Sequence, residues 1–162
     1  MMSFYHDLGF LIFGSRLRRM SEYYISEINK VYKEKGIDFE ASWFPVFYLL
    51  SRKEEVNLRE IADELQVSHS AISQLIKNLK GRGLVTTTPS EEDRRQNMVK
   101  LTPAGETLLD SLKPVWIAIS ASMSDIYADA GETVDLLPAL HWLETYFGEN
   151  PLSEIISKNL KS

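Results

Sequence analysis

The sequence predicts a mainly α fold with one small β-hairpin, the hairpin standing in a module flanked by long N- and C-terminal helices. Three observations predict it. Apolar residues recur at three-to-four spacing through most of the 162 residues. Between Leu58 and Leu101, two short helical stripes precede two β-prone runs. Gly, Pro and small polar residues fall at the ends of these patterns, where helices start and stop.

Asp7 to about Lys35 reads as one helix, with Leu17, Met20, Tyr24, Ile28 and Val31 on one stripe and Gly36 as its stop. Glu40 to about Arg52 reads as a second, carrying Trp43, Phe44, Phe47, Tyr48 and Leu50. Its Pro45 falls in the first turns, where proline is tolerated. Ile61, Ala62 and Leu65 share a face of a third helix, and Ala62 permits a close helix crossing. A tight turn at Gln66-Val67 follows, with Gln66 in the place that often holds Gly. Ser68 is a good N-cap for a fourth helix, whose buried stripe is Ile72, Leu75, Ile76 and Leu79. Gly81 and Gly83 mark its end.

Burying that stripe turns His69, Ser70, Ser73, Gln74 and Lys77 outward. All five can hydrogen-bond base edges or phosphates. Taken alone, such a face is equally a solvated helix surface. The hairpin beside it favours a duplex as partner. Its strands are Val85–Thr88 and Met98–Leu101. On the returning side of its polar loop stand Asp93, Arg94 and Arg95. Strand alternation sets Asp93 and Arg95 together and Arg94 opposite. An Asp93–Arg95 pair would then brace the loop while Arg94 reaches a minor groove, although a charged, solvated turn has the same composition.

Here the chain resembles the MarR family of winged helix-turn-helix regulators. The resemblance rests on the helix-turn-helix, Gly83-Leu84-Val85, Asp93-Arg94-Arg95, and Leu101-Thr102 with Gly105. It implies a homodimer that binds a pseudo-palindromic operator in double-stranded DNA, commonly as a repressor released by a small ligand. It also implies one MarR-like domain over 1–162. Residues 40–102 would be the DNA-binding module, and 1–36 and 104–162 the dimerisation helices. Arg94 is then the wing-tip contact, with Arg95 and Asp93 as its supports. Arg59, Ser68, His69, Ser70, Ser73, Gln74 and Lys77 would make the remaining DNA contacts. Glu91 and Glu92 stand where family wings often carry a basic residue, which disfavours close approach to phosphates.

After the hairpin, Thr102 caps a long helix that starts at Pro103 and runs toward Ala128, with a bend expected near Pro114. Another helix spans roughly Thr133 to Phe147. Leu152, Ile155, Ile156 and Leu160 form the last. These terminal helices carry more apolar surface than the central module can cover. Both ends are therefore expected to pack together and against a second copy. A twofold dimer would set its recognition helices roughly 34–36 Å apart.

Composition sets bounds. Net charge is −5 and the hydrophobic share 44%. An acidic chain is an unusual nucleic-acid binder, so local charge must decide. Arg59, Lys77, Lys80, Arg82, Arg94, Arg95 and Lys100 all fall in the central module. There are no cysteines, which excludes disulfides and thiolate metal sites. His6, His69 and His141 show no metal-ligand spacing, and neither a metal nor a cofactor is expected. No phosphate loop or nucleophile elbow points to an enzyme. No apolar run reaches the roughly 20 residues of a membrane span, and no leading basic cluster suggests a signal peptide, so the cytoplasm is the expected location. The resemblance implies a small aromatic or anionic effector, for which Phe13, Arg16, Trp43, Phe47 and Trp116 are candidate lining residues. The rival reading is a winged-helix module that binds protein rather than DNA.

Overall fold

The computed structural model describes residues 7–89, 97–129 and 136–160. They fall into two units, Met1–Ile119 and Ser120–Ser162. In the first unit a 3-10 turn, Gly9–Ile12, leads into helix α1, Phe13–Glu34. The apolar pattern predicts regular helix from Asp7. Gly9 instead takes a left-handed φ of 51°, which interrupts a helix. A second 3-10 turn, Ala41–Trp43, precedes α2, Phe44–Arg52, so this helix also starts later than its pattern suggests. Strand β1, Val56–Asn57, follows, then α3, Leu58–Glu64, and α4, His69–Gly81. The hairpin is β2, Val85–Pro89, and β3, Asn97–Leu101. Helix α5, Pro103–Asp129, runs through Pro114 and continues into the second unit.

Side chains close the helix starts. Asn57 Oδ1 accepts from the Glu60 amide at 2.7 Å. Ser68 Oγ accepts from the Ala71 amide at 3.3 Å, and Thr102 Oγ1 from the Gly105 amide at 3.1 Å. Each satisfies one of the amides that a helix start leaves without a partner.

Three helix ends share one geometry. Gly36 N donates to Lys33 O at 3.1 Å and Ile37 N to Tyr32 O at 2.9 Å. Gln66 and Val67 repeat this pair on Asp63 and Ala62, and Gly83 and Leu84 on Lys80 and Leu79. The motif needs positive φ at its first residue, and φ is 69° at Gly36, 51° at Gln66 and 72° at Gly83. Gln66 therefore holds the glycine place in the helix-turn-helix, as its position in the sequence suggests, and adopts a conformation that costs a side chain roughly 1–2 kcal/mol.

The sheet has three strands, ordered β1-β3-β2 and antiparallel throughout. Val85 pairs with Leu101 and Pro89 with Asn97, so each hairpin strand is one residue longer than predicted. β1 was not foreseen. It pairs Val56 with Val99 and joins the start of α3 to the hairpin.

The core lies beneath these elements. Ile61, Ala62, Ile72, Ile76 and Leu79 are buried, with Leu65 and Leu75 packed at the margin, as the stripes require. Val56, Val85 and Val99 supply the sheet side, and Leu109, Leu112 and Val115 the α5 side. Phe39 is an aromatic hub, edge-on to Tyr32 at 5.1 Å, Trp43 at 5.5 Å and Phe47 at 5.0 Å. Each such pair adds about 0.5–1.5 kcal/mol beyond area burial. The predicted stripe of α1 behaves differently. Leu17, Met20, Tyr24 and Val31 are exposed, Ile28 is half-buried, and Tyr32 is the buried residue of the helix.

The second unit holds the end of α5 and helices α6, Leu136–Glu149, and α7, Leu152–Asn159. The Leu136 amide donates to Tyr127 Oη at 2.8 Å. Trp142 and Tyr146 stack at 5.0 Å. Leu137, Trp142, Ile156 and Leu160 are all at least half exposed. Among the described residues, no helix is long and apolar enough to cross a membrane.

Candidate nucleic-acid interface

The candidate surface follows from the burial of α4. With Ile72, Ile76 and Leu79 turned inward, His69, Ser70, Ser73, Gln74 and Lys77 are exposed. They occupy successive turns on the side away from the core, starting at the helix N-terminus, where unpartnered amides favour anions. Ser68 has a different duty. Its oxygen caps the helix and lies 3.0 Å from Ser70 Oγ, so it shapes the start of the surface.

The structure sorts the module's cations. Arg59, on α3, is exposed and lies 3.9 Å from Asp63. An exposed pair one helical turn apart is worth well under about 1 kcal/mol, so Arg59 can exchange Asp63 for a phosphate at small cost. Lys80 donates to Thr87 Oγ1 at 2.9 Å, tying α4 to β2. Arg82 donates to Asp38 at 3.2 Å and to Asn78 at 3.3 Å, and its guanidinium lies 4.7 Å from the Trp43 ring centroid. Sequence position alone places Lys80 and Arg82 in the basic set. Their partners give both a bracing role.

Asp93, Arg94 and Arg95, together with Glu91 and Glu92, lie outside the described residues. The hairpin register closes at Pro89 and Asn97, the two positions from which that segment departs.

Of the five candidate effector residues, Trp43 and Phe47 belong to the core cluster and Trp116 packs against it. Trp43 and Phe47 are core, 2% and 0% exposed. Phe13 is half-buried, with Phe10 at 6.1 Å, and Arg16 is exposed. Trp116 is half-buried and donates from Nε1 to Tyr32 Oη at 3.1 Å. Burial raises the Tyr32 hydroxyl above the ordinary phenol range, partly offset by that bond. Two rings absent from the candidate set meet Trp116: Phe44 at 4.9 Å and Tyr48 at 6.3 Å, stacked on each other at 5.5 Å. Their spacing of four along a helix is the signal that could have found them. Among the described residues, no cluster of three or more His, Asp or Glu could hold a metal.

A helix-turn-helix with exposed polar residues on its second helix, backed by a three-stranded wing, defines a winged-helix protein. A model of the MarR family matches residues 36–96, which span the helix-turn-helix and β2. The chain is 37% identical to the transcriptional repressor NicR of Pseudomonas putida over 79 residues, 48% of this chain and 49% of the relative. It is 30% identical to the repressor IacR of Pseudomonas putida over 81 residues, 50% of this chain and 48% of the relative. The matched region thus spans about half the length of these curated relatives. Among solved structures, a mutant MarR from E. coli complexed with operator DNA superposes with a TM-score of 0.65 at 21% identity, covering 85% of this chain and 95% of the other. This last likeness is one of fold. The likeness to the MarR family by sequence lies in this central stretch, residues 36–96.

Proposed function

We propose that the protein is a homodimeric, DNA-binding transcription regulator of the cytoplasm, repressing from a pseudo-palindromic operator. One observation carries the reading: α4 buries Ile72, Ile76 and Leu79, with Leu75 at the core margin, and leaves His69, Ser70, Ser73, Gln74 and Lys77 exposed in succession. Gln74 is suited to an adenine edge, and Lys77 to a guanine or a phosphate. Arg59 would hold the backbone from α3, and Arg94 with Arg95 would extend from the wing. Relatives named as repressors support the sign of regulation. The second copy is supported by apolar side chains that neither unit covers, Leu17, Met20 and Tyr23 in one and Leu137, Trp142 and Leu160 in the other.

Selection from a random duplex pool tests this. The expected product is a two-fold sequence with half-sites about 10–10.5 base pairs apart, centre to centre. Recovery of no enriched sequence, with the protein monomeric by light scattering, would overturn the proposal.

A small aromatic or anionic effector is part of the same reading. The exposed rings of Phe44 and Tyr48 beside Trp116 support it better than Trp43 or Phe47. A ligand shifts DNA binding only through unequal affinity for two states. A panel of aromatic acids that changes neither tryptophan fluorescence nor operator affinity would remove this part.

A further inference from the structure

Gly83 and Leu84 join the recognition helix α4 to the hairpin, and their four main-chain polar groups divide evenly. The two N–H groups point back to α4, Gly83 N to Lys80 O at 2.9 Å and Leu84 N to Leu79 O at 3.0 Å. The two carbonyls point forward to one residue, Thr102, just ahead of α5. Thr102 Oγ1 donates to Gly83 O at 2.6 Å, and Thr102 N donates to Leu84 O at 3.0 Å. Thr102 Oγ1 also accepts from Gly105 N at 3.1 Å. Gly105 is buried against the same turn. A Cβ built on it would lie 2.1 Å from Leu84 O and 3.1 Å from Leu101 Cδ2. The recognition helix and the long helix α5 are thus fastened through one two-residue turn, independently of the wing tip.

We propose that Thr102 is a positioning residue for DNA recognition, its hydroxyl locking α4 to the start of α5 so that the spacing of the two recognition helices in a dimer is fixed. The inference rests on the dimeric DNA-binding function proposed above. An N-cap alone requires only an acceptor, which Ser, Thr, Asp and Asn all supply. The lock also requires a donor toward Gly83 O. An ionised aspartate accepts only, and a serine does both. This difference separates a cap from a lock.

The experiment uses the full chain, with Thr102→Asp, Thr102→Ser and Thr102→Ala. Each is checked for dimer mass and thermal melting. Each is then titrated against the selected operator and against duplexes with one base pair added or removed between the half-sites. Wild type and Thr102→Ser are expected to bind alike and to discriminate sharply against altered spacing. Thr102→Asp is expected to lose about tenfold on the operator and to flatten the spacing profile. Thr102→Ala, which removes acceptor and donor together, should flatten it too, and an unchanged profile in it would overturn the lock even if the aspartate variant does not fold. Aspartate or alanine variants that keep the wild-type spacing profile would overturn the lock while leaving the DNA-binding reading intact. A wild-type protein that prefers no duplex would overturn that reading, and the lock with it.

Discussion

Gly105→Ala is expected to lower the unfolding free energy by about 3 kcal/mol, the upper range for overpacking a tight site. By helix propensity alone the change should stabilise α5 by about 1 kcal/mol, because alanine is the better helix former. The close contact decides the sign. The added methyl would meet the Leu84 carbonyl oxygen at 2.1 Å. That atom belongs to the backbone and cannot rotate away. Relief requires the start of α5 to move, which pulls Thr102 from both Gly83 and Leu84. With total stabilities of about 5–15 kcal/mol typical, the loss should be plain as a lower urea midpoint. An alanine variant at least as stable as wild type would mean that α5 does not sit this close to the turn.

Raising salt from about 50 to about 200 mM is expected to weaken operator binding by about ten-thousandfold. Arg59, Lys77, Arg94 and Arg95 supply four cations per protomer, hence eight in a dimer. Full engagement with phosphates gives a slope of roughly −7 in log affinity against log salt. The net charge of −5 makes the expectation pointed, since attraction must come from this face against the average field. Equilibrium titrations at four or five salt concentrations measure the slope. A slope near zero would mean that these side chains do not meet phosphates.

Much of this was legible in the sequence because it is local. The stripes of α3 and α4 show in the three-to-four spacing of Ile61, Ala62, Ile72, Ile76 and Leu79, and burying them leaves one possible outward set on α4. Ser68 and Thr102 announce helix starts, and Gly36 and Gly83 announce ends. Gln66 occupies the glycine place in the turn and takes its positive φ.

What escaped depends on distant partners. β1 is two residues long, and only pairing with β3, some forty residues on, makes it a strand. Phe39 stands in a loop between two acidic residues, with no periodicity to mark it as the centre of the aromatic core. Arg82 reads as one more cation until Asp38 and Trp43 come beside it. Trp43 and Phe47 share composition with an effector pocket, and the 3-10 turn and α2 pack them against Phe39. The Leu-Thr-x-x-Gly run is conspicuous in the chain, but its donation to Gly83 is visible only once the hairpin brings positions 83 and 102 together.

The most direct test of the central claim is an anisotropy titration of the selected operator and of a random duplex with wild type and Gln74→Ala. The account predicts that wild type prefers the operator, and that the variant loses about tenfold or more on the operator while its affinity for the random duplex is unchanged. Equal affinity of wild type for both duplexes, or an operator affinity indifferent to Gln74, would contradict the assignment of α4 as the helix that reads DNA.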